Sequence, residues 1–326
     1  MGKPLRYLSP AVTTEELGDG RRRIISRPMD PNIVVWNASE WVTRYPVSLI
    51  ERVLDVAGPG GVVEEIRREE DPAYVQLDLE HDLFGYVPRE HFAGARILDF
   101  GCGGGSSTVI LGRLLPSDVD LLGVDLLARH IELGRARAEH YGLGNVRFKA
   151  SPSGSELPDD LGTFDYIVLS AVLEHMLPDE RRHLLPLVWS HLKPGGVFFL
   201  DQTPHRYFPV EVHTTGLPLL NYLPDSLTRL AATRFSRRLK RSDTWPDLLR
   251  KGIRGSTPRE IRRRLGHKAQ LLRPIRGDRI DLWHRVAEAR GPSRAKTAAR
   301  AGMKILKTVT GIQLVPSLSL AIRKSL

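Results

Sequence analysis

Asp99, Gly101, Gly103 and Gly105 stand in the stretch RILDFGCGGGSST, and Asp125 closes the apolar run DLLGVD further on. Glycines at this spacing permit a sharp turn with positive φ, close approach of backbone to a ligand, and tight packing of helix on strand. A helix opening behind the turn offers free N–H groups and partial positive charge. The turn is not a lysine-bearing phosphate loop, because no Gly-Lys-Ser/Thr follows. The dinucleotide fingerprint would place its third glycine at position 106, which is Ser106. Asp125 lies where an acidic group meets ribose hydroxyls, which by itself fits any adenosine ligand.

Asp99 separates these ligands. A carboxylate two residues before the first glycine repels a pyrophosphate and suits an ammonium group. S-adenosylmethionine carries an ammonium and a ribose and has no phosphate. A second constellation lies downstream. Glu174 and His175 follow an apolar run, and TPHRYFPVEVHTTGLPLLNYLP places His205, Arg206, Glu211 and His213 in one proline-rich segment. Histidines there can take a proton near neutral pH. The spacing of His205, Glu211 and His213 matches no familiar ligand pattern, so no metal is expected.

The elements that position these residues alternate. Residues 95–100, 120–125, 146–150, 164–170 and 197–202 read as strands; 106–115, 128–143 and 179–192 read as helices. Apolar strands between amphipathic helices predict βαβ units and a parallel sheet covered on both faces. Before this core, residues 1–40 read as a turn-rich arm, 40–56 as short helical pieces, and 73–87 as a helical stretch against the core. After Gln202 the chain is rich in Pro, Trp and Arg up to about residue 256. Residues 257–266 return to helical spacing, 268–275 read as a strand, 279–308 as mostly helix, and 316–324 as an edge or late strand. The expected division is a helical or irregular segment at 1–93, a core at 94–203, a cap or substrate insertion at 204–256, and a basic completion of the sheet at 257–326.

LDFGCGGG resembles the first motif of class I S-adenosylmethionine-dependent methyltransferases. GVD at 123–125 resembles their second acidic position, FDYIVLSAVLEHM their fourth-strand motif, and LKPGGVFFL the turn into their fifth strand. The resemblance is greatest to ubiquinone-biosynthesis-like small-molecule methyltransferases, which often carry Glu-His at the place of Glu174-His175. It covers residues 94–202, with a return at 257–324. It implies a Rossmann-like α/β fold: a seven-stranded, mostly parallel sheet, helices on both faces, the last strand antiparallel, and an inserted helical cap. It further implies Asp99, Gly101, Gly103 and Gly105 around the methionine part of the cofactor, Asp125 on the ribose, and Leu126 against the adenine. The family commonly has an Asp after the third strand for the adenine amino group. ASPSGSELP stands there, leaving Ser151 or Ser153 to substitute.

Methyl transfer from a sulfonium is an in-line displacement that requires alignment, exclusion of water and often removal of a proton. His175, His205 and His213 are the candidates for that proton. The expected reaction is methylation of a small-molecule acceptor, at oxygen, with S-adenosylmethionine as cofactor.

The 326 residues contain one cysteine, Cys102. No internal disulfide or cysteine-based metal site is possible, which fits a reducing cytoplasm. No signal-peptide pattern or bilayer-length apolar run is present. Residues 1–225 hold 22 Lys/Arg against 32 Asp/Glu, whereas residues 226–326 hold 26 against 6. A basic lobe on an acidic core implies an anionic partner. An anionic or lipid-linked acceptor satisfies it, as does peripheral membrane contact through the apolar stretch that precedes Arg237, Arg238, Lys240 and Arg241. The alternative is a nucleic-acid methyltransferase with the lobe on phosphates. Against it, SAVLEH stands where amino-methylating nucleic-acid enzymes carry an NPPY-like loop. A S-adenosylmethionine-binding protein without turnover is the third reading.

Overall fold

The computed structural model describes residues 5–27, 38–236 and 238–326. Arg237 of the basic run lies outside the described residues, as do residues 28–37 of the turn-rich arm.

The expected helical or irregular character of residues 1–93 is corrected at its start. Strands β1 (Leu5–Ser9), β2 (Val12–Gly18), β3 (Arg21–Ser26) and β4 (Glu40–Thr43) form an antiparallel sheet in that order. Gly18 pairs with Arg21, and the two residues between them, Asp19 and Gly20, have φ of 52° and 77°. Two positive φ values make the hairpin turn whose twist suits the flanking strands. Helix α1 (Val47–Glu70) follows, bent at Gly58 (φ 68°) before Pro59. Its Leu49, Ile50, Val53, Val62 and Ile66 bury against Val12 and Ile24 of the small sheet and Leu133 of the core.

Helix α2 (Leu77–Phe84) leads into the core: β5 (Arg96–Phe100), α3 (Ser106–Leu114), β6 (Asp120–Asp125), α4 (Ala128–His140), β7 (Val146–Ala150), β8 (Phe164–Ser170), α5 (Pro178–Ser190) and β9 (Leu192–Pro204). An insertion with α6 (Asp225–Phe235) and α7 (Trp245–Arg250) comes next. The chain then completes the sheet through α8 (Pro258–Leu265), β10 (Ala269–Leu271), α9 (Arg279–Ala289), α10 (Arg294–Thr310) and β11 (Ser317–Lys324). Strand order is β10-β11-β9-β8-β5-β6-β7. Strands β5 to β9 pair in parallel, and β11 runs antiparallel to both neighbours. The last strand is therefore reversed as expected, but it is interior to the sheet rather than an edge. The strand expected over 268–275 shortens to three residues: Leu272 N still donates to the Ala321 carbonyl of β11 (2.8 Å), but Pro274 two residues on has no N–H to continue the ladder.

The pleat sorts alternate residues into two layers. Ile97, Leu121, Val168, Phe199 and Ala321 join the core with α2, α3 and α9. Leu98, Leu122, Ile167, Phe198 and Ile322 join the core with α5 and α8.

The insertion has its own small core of Leu220, Ala232, Leu248, Leu249 and Ile253. One buried arginine, Arg181, fastens it to the sheet's carboxyl end, and a second, Arg254, braces it internally. Arg181 of α5 donates to the carbonyls of Met176 (3.0 Å) and Arg254 (2.8 Å). Arg254 donates to the Leu223 carbonyl (2.8 Å) and Thr228 Oγ1 (2.6 Å) and pairs with Asp225 (3.0 Å). Helix α6 turns Thr228 and Ala232 inward and leaves Leu227, Leu230 and Phe235 exposed. In the basic lobe, Arg300, Lys304 and Lys307 of α10 are paired with Asp278 and Asp281 at the start of α9. Among the described residues no helix is long and apolar enough to cross a membrane.

Candidate functional site: a glycine turn, two acids and a histidine pair

The glycine turn leaves β5 and enters α3 at the carboxyl end of the sheet. Its three alternate glycines all have positive φ: 77° at Gly101, 53° at Gly103 and 84° at Gly105. Their reasons differ. A Cβ on Gly101 would lie 2.6 Å from Val172 Cγ1, and one on Gly105 would lie 2.7 Å from Gly134 Cα and 3.0 Å from the Phe148 ring. These two glycines serve the protein's own packing. A Cβ on Gly103 would have nothing within 4 Å, so Gly103 faces open space. Cys102 is buried in the turn, and burial pushes its thiol well up, so it is inert there.

Asp99 does not face that space. It is buried at the end of β5, where its Oδ2 accepts from Ser107 Oγ (2.7 Å) and Thr108 Oγ1 (2.6 Å). It ties the first turn of α3 to the strand. Burial pushes its acid up to about 6, against the pull of the two hydroxyls.

Asp125 holds the crest of the turn. Its Oδ2 accepts from Gly103 N (3.0 Å), its Oδ1 accepts from Leu127 N (3.1 Å), and His130 Nδ1 lies 3.0 Å from Oδ1. Burial works against its charge, but the His130 contact and the two N–H groups hold it below the usual carboxylate range. Two donors occupy Oδ1 and one occupies Oδ2, so Oδ2 keeps an acceptor position. Beside it, Leu126 and Leu127 are 50% and 43% exposed, an apolar shelf at the mouth of the site. The 151–155 loop approaches this shelf: a Cβ on Gly154 would lie 4.0 Å from Leu126 Cδ1. Ser151 is buried and its N–H donates to the Asp125 carbonyl (2.8 Å). Ser153 Oγ is taken up by Glu156 (2.9 Å).

Of the three histidines, the structure brings two together. His175 and His213 meet edge to face with ring centroids 5.1 Å apart. Glu174 lies beside them, fully buried, accepting from Thr203 Oγ1 (3.0 Å). Burial pushes the Glu174 acid up to about 7. Burial also pushes both imidazoles down, His213 to about 4, with the neighbouring His175 and Arg68 adding to the shift. His205 lies elsewhere. It is buried at the end of β9, its N–H on the Pro316 carbonyl (2.9 Å) and its Nδ1 accepting from Tyr207 N (3.2 Å). Burial first and Arg279 second push it down to about 4. Glu211 is absorbed by its own turn, accepting from His213 N (2.8 Å) and Thr215 Oγ1 (2.7 Å).

Several site residues escape sequence reasoning. Arg137 of α4 is fully buried and donates to the Gly104 carbonyl (2.7 Å) and Ser106 Oγ (2.7 Å), while pairing with Glu65 of α1 (3.3 Å). It clamps the glycine turn between α1 and α4. Within a helix full of arginines it gave no signal. His130 gave a weak one, a histidine in the first turn of the helix after Asp125. Gly252 gave none, yet a Cβ there would strike His213 Cδ2 at 2.4 Å.

The strand order with one reversed interior strand, and a glycine turn bonded to the acid ending the next strand, define a Rossmann-like α/β domain of the methyltransferase type. Residues 97–196 match the family described as a methyltransferase domain, and this part of the chain is a class I S-adenosylmethionine-dependent methyltransferase domain. Domains of this class take S-adenosylmethionine as cofactor. The open face at Gly103, the free position on Asp125 Oδ2 and the apolar shelf at Leu126 fit an amino-acid end, a ribose and an adenine. Among similar proteins, trans-aconitate 2-methyltransferase of Deinococcus radiodurans is 34% identical over 131 residues, 38% of this chain and 46% of that protein. Ubiquinone biosynthesis O-methyltransferase of Acinetobacter baumannii is 28% identical over 118 residues, 35% of this chain and 48% of that protein. The chain thus spans about half the length of the relatives it matches. A S-adenosylmethionine-dependent methyltransferase structure from Clostridium acetobutylicum aligns with a TM-score of 0.34 and 22% identity, over 44% of this chain and 54% of that one.

Proposed function

We propose that this protein transfers a methyl group from S-adenosylmethionine to an oxygen of a small-molecule acceptor seated under the 205–256 insertion. The observation that carries this reading is the place of the Glu174, His175 and His213 cluster. Val172, two residues before Glu174, packs where a side chain on Gly101 would stand, so the cluster adjoins the glycine turn. When bound, the cofactor supplies an electrophilic methyl group on a sulfonium. Asp125 accepts from its ribose, the Gly103 face admits its amino-acid end, and the Leu126 shelf receives its adenine. Asp99 and Arg137 act behind them by holding the turn in shape. The insertion, fastened to the core by Arg181 and braced internally by Arg254, excludes water from the acceptor. The relative named as an O-methyltransferase supports oxygen as the atom methylated. The relatives named for trans-aconitate and for ubiquinone biosynthesis support a small acceptor.

The test is incubation of the full chain with methyl-labelled S-adenosylmethionine and a cell extract, with identification of the labelled product by mass spectrometry. An O-methylated small molecule is expected. Label in nucleic acid alone, or binding of the cofactor with no labelled product, would overturn the reading.

A further inference from the structure

We propose that Glu174, His175 and His213 form a binding site for a divalent first-row transition cation, with the acceptor's oxygen in an open coordination position. One ligand atom from each of the three residues lies within 4.8 Å of the other two. The sequence spacing concealed the set, because His213 arrives from the insertion, 38 residues after His175. It also replaces the His205, Glu211 and His213 grouping, which the fold does not bring together.

Three observations point to a cation. First, Glu174 Oε1 is fully buried and has no hydrogen-bond partner among the described residues. A buried carboxylate oxygen without a partner requires an explanation, and an ion is one of the few available. Second, the tautomer of His175 is set from behind. Its Nδ1 lies 2.7 Å from the Arg250 carbonyl, an acceptor only, so Nδ1 carries the proton and Nε2 presents a lone pair. That Nε2 lies 3.9 Å from Glu174 Oε1, too far for a hydrogen bond. Metal-ligating histidines are oriented in this way, by donating the other ring N–H to a carbonyl or carboxylate. Third, space has been left for His213. The ring sits against Gly252, whose φ is 83° and where any Cβ would lie 2.7 Å from His213 Nε2 and 3.3 Å from Glu174 Cγ. Thr214 Oγ1 bonds the Lys251 carbonyl (2.8 Å) and straps the two segments together.

Two nitrogens and one carboxylate oxygen suit zinc, manganese, iron or cobalt better than magnesium or calcium, which take oxygen sets. Bonds of about 2.0–2.2 Å place ligand atoms about 3–3.5 Å apart, so the three groups close by roughly an ångström on binding. Three protein ligands leave a position open for substrate. The cation, offset by one carboxylate, would leave the pocket positive, and the positive charge of Arg68 of α1 acts on both histidines. An acceptor with an acidic hydroxyl fits that field. This inference rests on the methyltransferase reading for the acceptor, but not for the cation.

The test is titration of chelator-stripped full chain with Co²⁺, read by its visible ligand-field absorption. One Co²⁺ per chain is expected, displaced by Zn²⁺. His213→Ala and Gly252→Ala should each weaken binding tenfold or more, and His183→Ala, on the exposed face of α5, should leave it unchanged. If His213→Ala fails to fold by circular dichroism, Glu174→Gln decides, since it keeps shape and removes charge. Absence of stoichiometric absorption, or equal binding by these variants, would overturn the site. Calorimetry of S-adenosylmethionine with the stripped protein is read separately. Cofactor binding without cobalt binding removes the cation and leaves the methyltransferase reading intact; cobalt binding without cofactor binding does the reverse.

Discussion

Asp125 Oδ2 accepts the N–H of Gly103 at 3.0 Å, which makes the end of β6 and the crest of the glycine turn one hydrogen-bonded unit. The same oxygen keeps the acceptor position assigned to the ribose. Asp125→Ala removes both, and S-adenosylmethionine affinity should fall about 10- to 100-fold, or about 1.4 to 2.8 kcal/mol. Isothermal calorimetry checks it, and unchanged affinity would remove Asp125 from the site.

Gly103 and Gly105 should respond differently to alanine. Gly105→Ala drives a Cβ into Gly134 and Phe148 at an already left-handed φ, and should cost roughly 2 to 4 kcal/mol of stability. Gly103→Ala meets no protein atom and should cost only about 1 to 2 kcal/mol for its backbone. Its larger effect should be on cofactor affinity, because the new methyl enters the ligand's space. Thermal melts beside calorimetry separate the two.

Asp99 should make stability depend on pH in the direction opposite to an ion-paired carboxylate. Its folded-state value of about 6 lies above its ordinary 3.8, so folding favours the protonated acid. That contribution is full below about pH 4 and is lost as pH rises through about 6. The effect is at most about 3 kcal/mol. Asp99→Asn removes it, so the stability of the variant relative to the parent should increase from pH 4.5 to 7.5. Denaturant melts at both pH values test this, and a constant difference would refute it.

His205 and His213 should part company. His213→Ala should lower turnover tenfold or more while S-adenosylmethionine affinity stays within about threefold. His205→Ala removes the acceptor for Tyr207 N and a buried ring, and should cost about 1 to 3 kcal/mol of stability with cofactor affinity unchanged. Loss of cofactor affinity in either variant would contradict its placement.

The core was legible because its signals are local. Apolar runs at 95–100, 120–125 and 164–170, separated by helical spacing, predict parallel strands, and the glycines after Phe100 mark the first crossover. The small N-terminal sheet was missed although Asp19-Gly20 is a strong hairpin signal. Its strands are short and carry charge on the outer face, as in VTTEELG and RRRIIS, so their alternation is faint. The interior place of β11 was not legible at all, since alternation in SLSLAIRK reports a strand and not its neighbours.

Sequence alone determined the family of the core and the residues that end strands β5 and β6. Those features depend on spacing along one segment, where rigid βα turns carry sequence distance directly into space. Tertiary structure decided which groups face open space and which face the protein. Asp99 turned inward to α3, Gly103 alone of three glycines faced open space, and His213 joined Glu174 and His175 while His205 did not. These outcomes depend on segments tens of residues apart, brought together by burial of the insertion's own core and by Arg181 and Arg254. No spacing within either segment encodes where such a packing brings them.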